Sequence, residues 1–472
     1  MNRSRETEEN RGNRRITVSL GADVSEGYVL RYELHPAEHF TFAATTLGLE
    51  TPQQLGERLA AQVIATLDEK EEKPDRIACD LYPKFPTTYA AEVLAEHYQV
   101  PMLRMQKCHR AILDAMDASM QSDAARTPSL CEEGQENGEA EELDTASHRS
   151  AEAATGRDAS TAVLGICLDD QSYGSDGTLW GGEILEISGE GFTRLASIHP
   201  YQLIGTNMEL HSSTPWQTAV SMLYDLARMA HNEDEAIRDF VAKQATSEKV
   251  HLLDLCSLND ARAQYIAQDR NKNTTRSTAA SGLFDAAAAI LGFQRISTPT
   301  GRTAMEALTE AAEAFEQQAD SVRNRAQIDA LYAKLEKLIA TAEEMDDPTI
   351  EPGDLWEDTD DGAFSETSAD DHPDILHTEQ LISLLADERI RYLTSLGKRN
   401  YDHPLNRKHP DAGSADDNSR LLAWFLLDAL ATICVQYCAG KHVVLSGHFL
   451  KATRLRERFE EKLKLARGPV VW

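Results

Sequence analysis

Two adjacent carboxylates, Asp169 and Asp170, follow an apolar run at residues 162–168 (AVLGICL), and Gly174, Gly177, Gly181 and Gly182 come after them. The run reads as a short buried strand bounded by turn chemistry. Acids and glycines at a strand's carboxyl end suit a phosphate or metal–phosphate site. Glycine lets backbone N–H groups approach an anion, and a carboxylate holds a cation or orients a water. The same letters also describe an ordinary β-hairpin with DG and GG turns, and spacing alone leaves both readings open. A second acid in a comparable place is Asp80, near the end of an expected strand over 74–81 (PDRIACDL).

These residues need elements to position them. Residues 15–20 alternate apolar side chains at Ile16, Val18 and Leu20, the period of a strand, and 28–32 returns after Gly21-Ala22-Asp23. Thr51-Pro52 opens a helix with Leu55, Leu59, Val63 and Leu67 on one face. Further strands are expected at 183–188, 192–197 and 443–445, the last leading through Ser446-Gly447 into a helix. Helices are expected from Pro215, with Trp216, Val220, Leu223 and Leu226 as a stripe, and over 320–340, with Ile328, Leu331, Leu335 and Leu338. The apolar stretch 419–438 reads as a helix buried between lobes, with Asp428 in its middle.

Composition narrows the classes. The chain has 472 residues, 41% of them hydrophobic, and a formal net charge of −31. That length exceeds one compact core, so two or three units are expected. The charge argues against nucleic acid and anionic membrane surfaces as partners. No run of 18 apolar residues occurs, and the start MNRSRETEENRGNRR lacks an apolar signal core, so no membrane span and a cytoplasmic location are expected. Seven cysteines without a CxxC pair point to reduced thiols; Cys434 and Cys438 read as buried helix residues. Residues 1–14 read as a disordered tail and 117–160 as a disordered linker. Residues 341–374 read as an acidic, solvated insertion without a calcium-loop spacing.

The stretch YGSDGTLWGGE (173–183) resembles the signature of the HypF-type carbamoyltransferases, whose usual form is close to LDGTGYGxDGTxWGGE. Tyr173, Gly174, Asp176, Gly177, Thr178, Trp180, Gly181, Gly182 and Glu183 match, and Asp169 matches the leading aspartate. Asp170, Gln171 and Ser172 stand in place of Gly-Thr-Gly. Further stretches are similar: ACDLYPKFPTTYAAEVLAE around Asp80, RLASIHPYQLIGTN from Arg194, STAASGLFDAAAAILGF around Asp285, TPTGRTAMEAL with Gly301, and HVVLSGHF with Ser446 and Gly447. Departures cluster at polar positions. Tyr82 replaces a histidine, Gly282 an arginine, and His448 a glycine, while Ser25 stands where the family has a lysine. The family's H-x-x-x-H pair, which binds a metal from one helix face, falls on Lys107 and Ala111, leaving His109 between them. The chain stops at Trp472, before any stretch like the family's N-D-G-G, whose aspartate is another ligand.

The resemblance implies an α/β, two-lobed actin-like (ASKHA) fold with a nucleotide cleft between lobes, residues 15–116 forming one lobe and 161–472 the other. It implies a pocket for ATP or carbamoyl-adenylate contacted by Gly21, Ser25, Tyr173, Gly174, Asp176, Gly177, Gly181, Gly182, Glu183, Asp285, Gly301, Ser446 and Gly447. Asp169 and Asp80 are the expected catalytic acids, and His109 with Asp169 is what remains of a zinc or magnesium site. The implied activity is transfer of a carbamoyl group to a thiol of a HypE-like partner in nickel–iron hydrogenase maturation. The chain resembles only the actin-like module, without the acylphosphatase-like, zinc-finger and YrdC-type modules, so a separate module forming carbamoyl-adenylate is expected. Two alternatives stand beside this: a catalytically inactive relative that binds a partner, favoured by the lost histidine pair, and an actin-fold small-molecule kinase using Asp80 or Asp169 as base.

Overall fold

The computed structural model describes residues 15–21, 27–32, 37–42, 50–126, 163–188, 191–203, 215–229, 275–294, 303–317, 321–345, 373–395, 416–438, 441–451 and 453–466. It is a mixed α/β structure with two sheets. The first has five strands in the order β3-β2-β1-β4-β5: β1 (Ile16–Leu20), β2 (Tyr28–Tyr32), β3 (Glu38–Phe40), β4 (Arg76–Asp80) and β5 (Met102–Met105). The first three form an antiparallel meander, and β4 lies parallel beside β1.

The second sheet follows the same plan. Strands β6 (Val163–Tyr173), β7 (Leu179–Ser188) and β8 (Gly191–Ile198) form an antiparallel meander, and the strand β12 (His442–Ser446) lies parallel beside β6. Strand β11 (Asp374–Leu376) runs parallel to β8, and the short β9 (Tyr201–Gln202) and β10 (Arg276–Ser277) extend the sheet where β7 begins.

On the first sheet pack α1 (Pro52–Glu69) and α2 (Pro86–Tyr98). Helix α1 starts where the sequence places it. Thr51 Oγ1 accepts from Gln54 N at 3.3 Å, the Gln54 side chain accepts from Thr51 N at 2.9 Å, and Pro52 occupies the first turn. Such a cap contributes about 1 kcal/mol. Leu59, Val63 and Leu67 are fully buried against Val18, Leu30 and Ile77 in one core.

Helix α3 (Lys107–Arg126) leaves β5 of the first sheet but packs on β6, β7 and β12 of the second. Cys108 and Ile112 join Cys167, Trp180, Leu185, Ile187 and Val444 in an apolar cluster. Asp114 and Asp117 of α3 take hydrogen bonds from Arg31 of β2, tying the helix back to the first sheet. Of the linker expected over 117–160, residues 117–126 belong to α3, and the remainder lies outside the described residues.

The largest core joins the second sheet to α4 (Pro215–Met229), α5 (Ala280–Leu291), α6 (Ala304–Gln317), α7 (Ser321–Met345), α8 (Thr378–Ser395), α9 (Asp417–Val435) and α10 (Thr453–Leu465). Helix α9 packs against α5, α6, α7, α8 and α10, so it lies inside the second unit and not between the two sheets as expected. With its 3-10 continuation (Asp417–Cys438), it is the one helix among the described residues long and apolar enough to cross a membrane. It is buried among its neighbours, and Asp428 is met by Tyr332, Arg458 and Lys462. Helix α7 runs to Met345 and β11 starts at Asp374; of the acidic insertion expected over 341–374, residues 346–372 lie outside the described residues.

Candidate functional site

Strand β6 does not end at Leu168. It runs through Asp169 and Asp170 to Tyr173, and its register against β7 shifts between the Leu168–Gly182 and Ser172–Trp180 pairs. Asp169, Asp170 and Gln171 thus oppose Gly181 alone, a bulge of the kind that re-aims side chains. Gly181 is required there, since a Cβ would lie 2.7 Å from the carbonyl oxygens of both Asp169 and Asp170. A Cβ on Gly182 would strike Ile198 and the Thr278 carbonyl. The expectation that the two aspartates close a strand and that Gly181-Gly182 form a turn is corrected. All four lie within strands, and the turn is made by residues 174–178, with Gly174 N donating to Thr178 O at 2.8 Å.

Around the bulge, charged groups from four elements converge. Asp169 is buried, and its Oδ1 accepts from Asp170 N at 2.7 Å and from Lys107 Nζ at 3.0 Å. Lys107 opens α3. Just before it, Gln106 Oε1 accepts from the backbone N–H groups of Cys108 and His109, and Gln106 Nε2 donates to Ser172 Oγ at 3.0 Å. The helix start is therefore pinned to β6 on both sides of the bulge.

Asp170 is open to solvent but ringed by protein. Desolvation and then the Asp169 charge raise its pKa, against the pull of Lys107 and His448. Asp285 on α5 is half-buried, and its pKa is pushed up to about 7 by desolvation and by Asp170. Asp285 is thus a carboxyl poised to exchange a proton near neutrality. The β12 turn closes against β6: Ser446 Oγ donates to Ile166 O at 3.4 Å, and Gly447 has φ of +95°, with a Cβ there falling 2.3 Å from Leu168 O.

The first sheet meets this region through aromatic rings. Asp80 is buried at the end of β4, and its Oδ1 accepts from Tyr82 N at 3.0 Å. The Tyr82 ring stacks on Tyr173 at the end of β6, with centroids 4.7 Å apart and planes within 10°. A stacked pair contributes about 0.5–1.5 kcal/mol beyond its burial.

The acids of the 173–183 stretch are engaged by groups of their own hairpin, by Arg194 of β8 and by Thr278 before α5. Asp176 accepts from Thr178 N and Oγ1, from Trp180 Nε1 at 2.9 Å, and from Arg194 at 2.9 Å. Glu183 is fully buried. Its carboxylate accepts from Gly181 N, from Thr278 Oγ1, and from Arg194 Nε at 2.7 Å. The Arg194 guanidinium also lies 4.1 Å over the Trp180 ring. In the first sheet, Gly21 N donates to Gly27 O at 3.0 Å between β1 and β2. Ser25 and Gly301 lie outside the described residues.

The resemblance implies a metal, and the residues present do not fit one. Lys107 presents an ammonium, which ligates nothing while protonated. Ala111 packs on the apolar cluster beneath the bulge. His109 is buried against Phe192, with ring centroids 4.7 Å apart, and desolvation followed by the Arg31 charge lowers its pKa to about 4. Its Nε2 has no hydrogen-bond partner. Among the described residues, no group of three His, Cys, Asp or Glu side chains could hold a metal ion. The described cysteines are all free and buried.

Sequence reasoning missed the Lys107–Asp169 pair, which joins residues 62 apart in the chain, and the nearness of Asp170, Asp285 and His448. It also missed why Gly282 replaces an arginine. A Cβ at Gly282 would overlap the Tyr201 hydroxyl at 1.9 Å, so Tyr201 fills that space.

Comparison with known proteins agrees with the resemblance. Residues 165–353 match the family model described as "Carbamoyltransferase, Kae1-like Domain, second subdomain". A "Carbamoyltransferase HypF homolog" of Cupriavidus necator is 28% identical over 229 residues, 48% of this chain and 43% of that protein. A "Carbamoyltransferase HypF" of Rhizobium leguminosarum bv. viciae is 28% identical over 261 residues, 55% of this chain and 26% of that protein. A crystal structure of full-length HypF in its phosphate- and nucleotide-bound form aligns with a TM-score of 0.53 at 18% identity, covering 97% of this chain and 52% of that one. HypF of T. kodakarensis aligns with a TM-score of 0.53 at 17% identity, covering 97% and 44%. The structures share the fold, and the chain spans about half or less of these relatives' lengths.

Proposed function

We propose that this chain is a HypF-like carbamoyltransferase module with an actin-like, two-lobed arrangement that takes ATP or carbamoyl-adenylate between its two sheets. The observation that carries this is the convergence at the β6 bulge of Asp169, Asp170, Lys107, Asp285 and the β12 turn, beside the Tyr82–Tyr173 stack where the sheets meet. The repeated strand plan of the two sheets supports the two-lobe reading. The nucleotide-bound state of a HypF of this fold supports a nucleotide as ligand.

In this reading a partner's thiol, that of a HypE-like acceptor, attacks the carbamoyl carbonyl carbon. The bond from that carbon to the phosphate oxygen breaks, and AMP leaves with the electron pair. Asp285, titrating near neutrality, accepts the thiol proton. Lys107 faces the charge gathering on the leaving phosphate, and Asp169 holds Lys107 in place. No step runs through a metal.

The test supplies carbamoyl-adenylate and a peptide ending in cysteine to the full chain and follows AMP release and carbamoylated thiol. Transfer that falls at least tenfold in Asp285→Asn supports the reading. Carbamoyl-adenylate that binds without transfer favours the second reading, a catalytically inactive module that binds a partner. The occupation of the expected histidine positions by Lys107 and Ala111, with His109 turned onto Phe192, favours that alternative.

A further inference from the structure

We propose that this recess works without a resident metal ion, and that the ammonium of Lys107 is the tethered cation that neutralises Asp169 in its place. The pair is enclosed: the two side chains are 14% and 5% exposed and meet at 3.0 Å. Lys107 is the first residue of α3, where the positive end of the helix dipole disfavours a cation. The position is therefore explained by what the side chain meets across the gap, the buried carboxylate of Asp169. Gln106 separately caps the helix by accepting from the N–H groups of Cys108 and His109, so Lys107 is not needed for that task.

The neighbouring positions agree. One turn along α3, Ala111 offers no donor atom and faces the apolar cluster of Ile112, Cys167 and Trp180. His109 packs its ring on Phe192, with Nε2 unpartnered. A lysine is a point charge with three rotatable donors, suited to a carboxylate or phosphate and permanently part of the chain. A recess lined by Asp169, Asp170 and Asp285 thereby keeps one cation whatever the metal supply. The inference goes beyond the proposed function: nucleotide binding or transfer can fail while it stands, because it concerns the Lys107–Asp169 pair alone.

The test uses the full chain, produced in medium supplied with zinc and iron. Its metal content is measured by plasma mass spectrometry, and its melting is followed with and without EDTA. The expected result is metal far below one ion per chain and a melting temperature unmoved by EDTA or added zinc. A stoichiometric ion whose removal lowers the melting temperature overturns the proposal. As a second measurement, Lys107→Met melts below the wild type, and the double variant Lys107→Met/Asp169→Asn recovers most of that loss, since no buried charge is then left alone. A Lys107→Met chain that melts like the wild type also overturns it.

Discussion

Replacing Arg194 by methionine tests whether the acids of the 173–183 stretch are locked by this one cation. Arg194 donates to Glu183 at 2.7 Å and to Asp176 at 2.9 Å, and its guanidinium covers the Trp180 ring at 4.1 Å. Glu183 is 0% exposed, so the substitution leaves a carboxylate buried without its cation. Removing one partner of a buried pair costs about 3–5 kcal/mol. The lost cation–π contact adds about 0.5–2 kcal/mol, whereas the more exposed bond to Asp176 adds little. The Glu183 term dominates. It amounts to a large share of the roughly 5–15 kcal/mol that holds a typical domain together. At about 2–4 °C per kcal/mol, melting of the second unit falls by roughly 6–20 °C. Urea unfolding of wild type, Arg194→Met and Arg194→Met/Glu183→Gln measures this. The double variant recovers more than half of the loss, because a neutral amide no longer needs the cation. A loss below about 1 kcal/mol in the single variant, or no recovery in the double, would refute the reasoning.

Three further outcomes follow from the geometry. Asp285 has a folded pKa of about 7, above its ordinary 3.8, so its protonated form favours the fold: this contribution is lost as pH rises from about 4 through 7, and Asp285→Asn melts higher than wild type at pH 8 with little difference at pH 4. His109 runs the opposite way: with a folded pKa of about 4 against 6.5, its contribution is present above pH 6.5 and lost as pH falls towards 4, so melting curves of His109→Leu show less acid destabilisation across that window than wild type. Gly447→Ala places a side chain at φ of +95° and 2.3 Å from Leu168 O, and a urea midpoint lowered by the equivalent of at least about 1–3 kcal/mol is expected.

Most elements were legible because their periods are clean. Ile16, Val18 and Leu20 alternate, Leu59, Val63 and Leu67 repeat at helical spacing, and both sets are buried as the patterns require. The site was less legible for three physical reasons. A bulge has no period, so the polar run at 169–172 reads as the end of a strand that in fact continues to Tyr173. A glycine kept for close approach looks like one kept for a turn: Gly181 and Gly182 make room for carbonyls and for Ile198 inside strands, while Gly177, Gly292 and Gly447 are the described motif glycines with positive φ. Ion pairs between distant segments leave no local trace. The replacement at Lys107 could be read as a lost metal ligand, but its bond to Asp169 appears only once α3 is seen to cross from the first sheet onto the second. Tyr201 against Gly282 is the same kind of event, a side chain from one segment filling space vacated in another.

The most direct test of the proposed nucleotide recess is calorimetric titration of ATP, with magnesium accompanying the nucleotide, into the full chain and into Lys107→Met. Micromolar binding to the wild type that weakens at least tenfold, about 1.4 kcal/mol, in Lys107→Met is the expected result. No binding to the wild type, or binding indifferent to Lys107→Met, would contradict a nucleotide site organised around the β6 bulge.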